Sequence, residues 1–148
     1  MRPMYKRILL AYDGSEPGQK ALLDASEIAQ WGGADVFLVA VMPPASALMG
    51  GEGYVYDPRL EKEEEQRYKN ILDEGLKRLS SLGYAARGEV LTGDAVDEIT
   101  EYAKGNNSDL IVVGHKHLDS WAARWWRGSV SKSLIEHAPC SVLVVITR

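Results

Sequence analysis

The chain has 148 residues, of which 45% are apolar and 26% charged, the proportions of a single globular domain around one core. Its formal net charge of −4 argues against a nucleic-acid partner, because phosphate backbones are held by clustered Lys and Arg. Cys140 is the only cysteine, the N-terminal apolar run is too short for a signal-peptide core, and no stretch approaches a membrane span. A cytoplasmic protein without disulfides or a membrane partner is expected.

Ile8–Ala11 is a short continuous apolar run, as in a strand covered on both faces. A helix follows, with Pro17 near its start, Ala21, Leu22, Ala25, Ile28 and Ala29 along one face, and Gly32-Gly33 past its end. Val36–Val41 is a second apolar strand. Residues 42–56, MPPASALMGGEGYVY, form a long Gly- and Pro-rich connection of the kind that serves as a lid or mobile segment. Asp57-Pro58 opens the second helix as an N-cap followed by proline at the first helical position. Its apolar stripe is Leu60, Tyr68, Ile71, Leu72, Leu76 and Leu79; the intervening Glu61 to Glu65, Arg67 and Lys69 read as a solvated face. Ala85–Leu91 contains Arg87, Gly88 and Glu89 and reads as a weaker strand at a sheet edge. A third helix starts near Asp94, carries Val96, Ile99, Tyr102 and Ala103, and stops at Gly105. Leu110–Val113 is the fourth strand, ending in Gly114. The fourth helix starts at Gly128-Ser129 and carries Val130, Leu134, Ile135 and Ala138 before Pro139; Val142–Ile146 is the fifth strand.

The order β-α-β-α-β-α-β-α-β predicts one domain over residues 1–148, a parallel sheet with helices on both faces. In such folds ligands bind beyond the carboxyl ends of the strands, where the strand order reverses. If strands one and four are neighbours at that reversal, Asp13 and Gly114 face one crevice. The fourth helix then points its free N–H groups at the same place, which suits an anion. Each of these residues also has a plainer role: Asp13-Gly14-Ser15 shapes a turn or caps a helix, Gly114 and Gly128 permit tight turns, and Ser129 caps the fourth helix.

Four stretches carry a family resemblance: RILLAYDGSEPGQKAL at the start, GDAVDEI before the third helix, SDLIVVG at the fourth strand, and RGSVSKSLIEHAPCSVLVV at the end. Through them the chain resembles the universal stress protein family over nearly its whole length. The resemblance implies a three-layer, doubly wound, Rossmann-like α/β domain with a five-stranded parallel sheet of order 3-2-1-4-5. It implies homodimers and, in one branch of the family, ATP binding. That branch carries G-x2-G-x9-G-[ST]. Its first glycine corresponds to Gly114 and its last pair to Gly128-Ser129, with Val130 and Ser131 beside the phosphates. Asp13 is the residue for adenine or ribose, Val41 ends strand two, and Ala11 stands where a proline is common.

Two departures bear on ATP, carried as MgATP. His117 stands at the middle glycine, and the second gap is ten residues rather than nine. Glycine lets a backbone approach phosphate closely, whereas His117 puts a mostly uncharged imidazole there. Arg124 and Arg127 lie in the same loop and offer charge-assisted bonds to phosphate oxygens. The expectation is a regulatory protein that binds ATP between strands one and four; the alternative is a dimeric interaction module that has lost the nucleotide.

Other readings are weaker. His115 and His117, with Asp119, fall short of the three or four ligands of a metal site. Trp121 and Trp125 are spaced to share a helix face and suit packing better than base stacking; Trp126 adjoins them. The Walker pattern and the G-x-S-x-G elbow are absent, and Cys140 reads as a small buried residue rather than a nucleophile. A receiver domain would want more acids after strand one, and a flavodoxin a hydroxyl-rich loop there; no catalytic base for ATP hydrolysis is visible. The run Val142 to Ile146, placed at a sheet edge by the implied order, has neither proline nor lysine to protect it, so a homodimer through that strand is expected.

Overall fold

A run of residues apolar at every position is stable as a strand only where both its faces are covered. The computed structural model describes residues 4–12, 18–24, 27, 33–44, 56–116 and 128–147, with the side chains of 115, 116, 128–132, 146 and 147 outside the description. Five strands form one parallel sheet: β1 Arg7–Ala11, β2 Asp35–Met42, β3 Ala86–Thr92, β4 Leu110–Lys116 and β5 Ser141–Thr147. Their order is β3-β2-β1-β4-β5, as the resemblance implied. In β1, Ile8 to Ala11 are all buried, while β3 alternates between half-buried and exposed residues, as befits its edge position.

Helical residues 18–24 (α1) follow β1, and three more helices follow: α2 Pro58–Ser81, α3 Ala95–Gly105 and α4 Gly128–His137. Alternation along the strands divides the core in two. Ile8, Leu10, Leu38, Ala40, Leu110 and Val112 pack with Ala21 and Leu22 of α1 and Tyr68, Leu72 and Leu79 of α2. On the opposite face Leu9, Ala11, Val39, Val41, Ile111 and Val113 pack with Ala95, Ile99 and Ala103 of α3 and Leu134 of α4. Right-handed crossovers require this arrangement, because the chain moves one way from β1 to β3 and the other way from β4 to β5.

The helix ends follow local rules. Asp57 accepts from the Arg59 N–H at 2.9 Å with proline at the first helical position, and Asp94 accepts from the Asp97 N–H at 3.1 Å. α3 ends in a Schellman motif: the Ser108 N–H donates to the Ala103 carbonyl at 3.0 Å and the Asn107 N–H to Lys104 at 3.2 Å. The left-handed residue there is Asn107, at φ 54, so Gly105 is the last helical residue and not the stop signal.

Three sequence expectations need correction. β4 does not end before Gly114: pairing of Gly114, His115 and Lys116 with Val145, Ile146 and Thr147 carries it three residues further. An apolar run stops at its first glycine, whereas a ladder needs only backbone. Leu60 and Ile135 leave their stripes and are 50% and 61% exposed. Leu60 sits in the first turn of a helix much longer than the strands beneath it. Residues 45–55, Pro17, Ala25, Ile28, Ala29 and Gly32 lie outside the described residues. Among the described residues no helix is long and apolar enough to cross a membrane.

Candidate functional site

The strand order reverses between β1 and β4. Ala11, the last residue of β1, is in register with Val39 of β2 and Val113 of β4. Gly114, half-buried, follows Val113, and Val41 lies two residues beyond Val39 on β2, in register with Leu91. Ala11 and Val41 are both buried against the α3–α4 face. These three predicted residues therefore meet at the carboxyl end of the sheet, beside the reversal, where such folds place a ligand.

Each helix runs antiparallel to the strands it connects, so α2, α3 and α4 all begin at this end. They are finished differently. α2 and α3 carry aspartate caps and acidic first turns, with Glu61 in one and Asp97 and Glu98 in the other. α4 has no acidic residue in its first turn. Its leading N–H groups and positive dipole end thus have no carboxylate of their own turn to face. Gly128, Ser129, Val130 and Ser131 form that turn; their side chains lie outside the described residues, as do Asp13, His117, Arg127, Arg124, Asp119 and the tryptophans 121, 125 and 126 in full. His115 lies within β4.

Tyr12 is a further residue of this end, one that no motif marks. It follows Ala11 directly, is 1% exposed, and faces α2 on the other side of the sheet. Its N–H donates to the Val39 carbonyl at 2.8 Å and its hydroxyl to Glu74 Oε1 at 3.3 Å. Arg78 Nε donates to the same oxygen at 3.2 Å. Beneath the ring is Gly75, where an added Cβ would stand 2.6 Å from Leu38 Cδ2 and 2.8 Å from Tyr12 Cδ1. The chain is therefore anchored immediately before Asp13 by an aromatic ring seated on a helix glycine. A glycine inside an apolar helical stripe is the trace of this in the sequence, since glycine otherwise weakens a helix.

Two other titratable groups are accounted for by structure. Burial pushes the Cys140 thiol up, and the Asp109 charge adds to it; a thiol kept protonated is a poor nucleophile. The Tyr102 hydroxyl is raised first by burial and then by the Glu89 carboxylate it bonds.

The sequence model described as "Universal stress protein family" matches residues 4–145. A universal stress protein of Thermus aquaticus is 33% identical over 144 residues, covering 96% of this chain and 99% of its own. A family member of known structure from Burkholderia pseudomallei superposes with a TM-score of 0.75 at 28% identity, covering 96% of each chain. The universal stress protein of Archaeoglobus fulgidus solved in complex with dAMP shares the fold, with a TM-score of 0.69 at 21% identity over 96% of this chain and 98% of its own.

Proposed function

The chain belongs to the universal stress protein family, and on that premise we propose that it is a stress-response regulatory protein that binds an adenine nucleotide, ATP with Mg2+, in the crevice between β1 and β4. One observation carries the reading: at the reversal of strand order the only N-terminal turn without an acidic residue, among α2, α3 and α4, is that of α4. Phosphates would take the N–H groups of Gly128, Ser129 and Val130 and the Ser131 hydroxyl, with Arg127 adding charge. Asp13 would hold the ribose or adenine, Ala11 and Val41 would form the apolar wall, and Gly114 would leave room for the ligand. His117, in place of a glycine, would narrow the approach. The dAMP complex of the Archaeoglobus fulgidus neighbour supports an adenine nucleotide as the ligand class. No residue is assigned a catalytic role. Purified protein extracted and analysed by mass should release an adenine nucleotide; release of a different cofactor would refute the assignment.

A second reading is favoured by His117 and the ten-residue gap: a protein-interaction module without nucleotide. Both readings include a homodimer through β5. Val142, Leu143 and Val144 are only half-buried at this edge, and among the described residues no strand pairs with its outer side, which a symmetric partner would fill. Sedimentation equilibrium at micromolar concentration should give a dimer, and Val144→Pro should shift it to monomer or aggregate. A monomeric unmutated chain would refute the dimer.

A further inference from the structure

The amino ends of the strands, opposite the crevice, hold a recess of about 540 Å³, within the range of small-ligand sites. Arg7, Asp35, Phe37, Ala86, Arg87 and Asn106 line it. Topology leaves it open. On this face α3 packs against β2, and α4 against β4 and β5, so among the described residues no helix is centred over the amino-terminal corner of β2 and β3.

Register sets the charges. Asp35 is the partner of Arg7 on β1, and Phe37, two residues on and on the same face, is the partner of Arg87 on β3. Asp35 thus stands beside Arg7 and diagonal to Arg87 in the ladder. Among the described residues it forms an ion pair with neither, the ion pairs found there joining other residues. Arg7 instead donates Nη1 to the Asn106 carbonyl at 2.9 Å, which fixes one guanidinium at the rim. Arg87 is exposed. Opposite charges that line one recess with Phe37 and form no ion pair with each other are the complement of a zwitterion.

We propose that this recess binds a free α-amino acid with an apolar side chain. Its carboxylate pairs with Arg87, whose planar fork suits that group. Its ammonium pairs with Asp35, and its side chain lies on Phe37. Asp35 opposes a dianion, and the two arginines oppose a simple amine, so the layout selects a molecule carrying both charges. The site is separate from the nucleotide crevice and stands or falls without it.

Amide resonances of the whole chain, followed during titration with L-phenylalanine, test this. Those of residues 35–37 and 86–88 should move with a millimolar midpoint. N-acetyl-L-phenylalanine lacks the ammonium and L-phenylalaninamide lacks the carboxylate; each should bind about tenfold more weakly, as expected for loss of one charge-assisted contact. Arg87→Gln and Asp35→Asn should weaken L-phenylalanine to the same degree and leave any MgATP titration unchanged. The two derivatives probe the same contacts on the unmutated chain, so a poorly folded variant does not decide the outcome. Absence of shifts at millimolar L-phenylalanine overturns the proposal, and so does equal binding of the N-acetyl derivative, which would mean that the arginines collect any carboxylate.

Discussion

At the amino end of the sheet, the Asp109 carboxylate accepts from the backbone N–H groups of Lys6 at 2.8 Å and Arg7 at 3.0 Å. Its own N–H donates to the Arg7 carbonyl at 2.9 Å, and the Asp35 N–H donates to Lys6 at 2.9 Å. Side chains there tie β1 to its two neighbours. At the carboxyl end, β1 is held to β2 by the Tyr12 N–H and anchored from beneath by Tyr12 on Gly75 and Glu74. Beyond that anchor the helix N-termini face outward, one of them without an acidic first turn. The difference separates an end where hydrogen bonds cross-tie β1 to its neighbours from an end where helix N-termini suit an anion. Substitutions at the first should change stability and spare nucleotide affinity; those at the second should do the reverse.

Gly75→Ala tests where that division fails, and should have the largest effect. Alanine gains about 1 kcal/mol of helix propensity. Its Cβ, however, meets the nearly fully buried Leu38 and Tyr12 at 2.6 and 2.8 Å, and overpacking of this kind costs about 1–3 kcal/mol. With both neighbours buried and the contacts under 3.0 Å, overpacking should win, by up to about 2 kcal/mol. Because Tyr12 precedes Asp13, nucleotide affinity should fall as well. Urea unfolding and a MgATP titration on the same variant check both effects; unchanged affinity would detach Tyr12 from the site.

Asp109→Ala should remove only amino-end contacts. Lys6 and Arg7 are exposed, so water replaces part of what is lost, and a decrease of about 1 kcal/mol is expected. Nucleotide affinity should be unchanged, and altered affinity would break the separation between the two ends.

Tyr102→Phe should do least, about 0.5–1 kcal/mol at neutral pH. Folding raises the hydroxyl above its ordinary 10.0 by burial and by Glu89, so the folded state favours the protonated form. That contribution is full below pH 10.0 and disappears as pH climbs through the raised folded value. Denaturation across alkaline pH should show a shallower decline in the variant than in the unmutated chain.

Most of the fold was legible because local chemistry and topology agree. β1 and β2 are continuous apolar runs because both faces are covered, and β3 declared its edge through Arg87 and Glu89. Asp57-Pro58 and Asp94 marked helix starts where the caps are found. The errors have physical reasons as well. The β4 extension depends on backbone pairing with β5, which side-chain polarity does not encode. Leu60 and Ile135 fit a helical period but lie exposed, because periodicity alone does not fix which positions the sheet covers. Of the candidate site, Ala11 and Gly114 stand at strand ends and Val41 came through the family resemblance, while Tyr12 was missed because its partner, Glu74, lies 62 residues away. The amino-end recess was missed for the same reason, as it is assembled from three strands by register alone.

Calorimetric titration of the unmutated chain with MgATP tests the central claim most directly, with Asp13→Ala and Gly128→Val as paired controls. A saturable heat is expected, together with a rise in melting temperature, because a ligand bound to the native state alone stabilises it. Each substitution should weaken binding about tenfold, the first by removing a polar contact and the second by blocking backbone approach to phosphate. No heat and no thermal shift at millimolar MgATP would contradict the nucleotide-binding account.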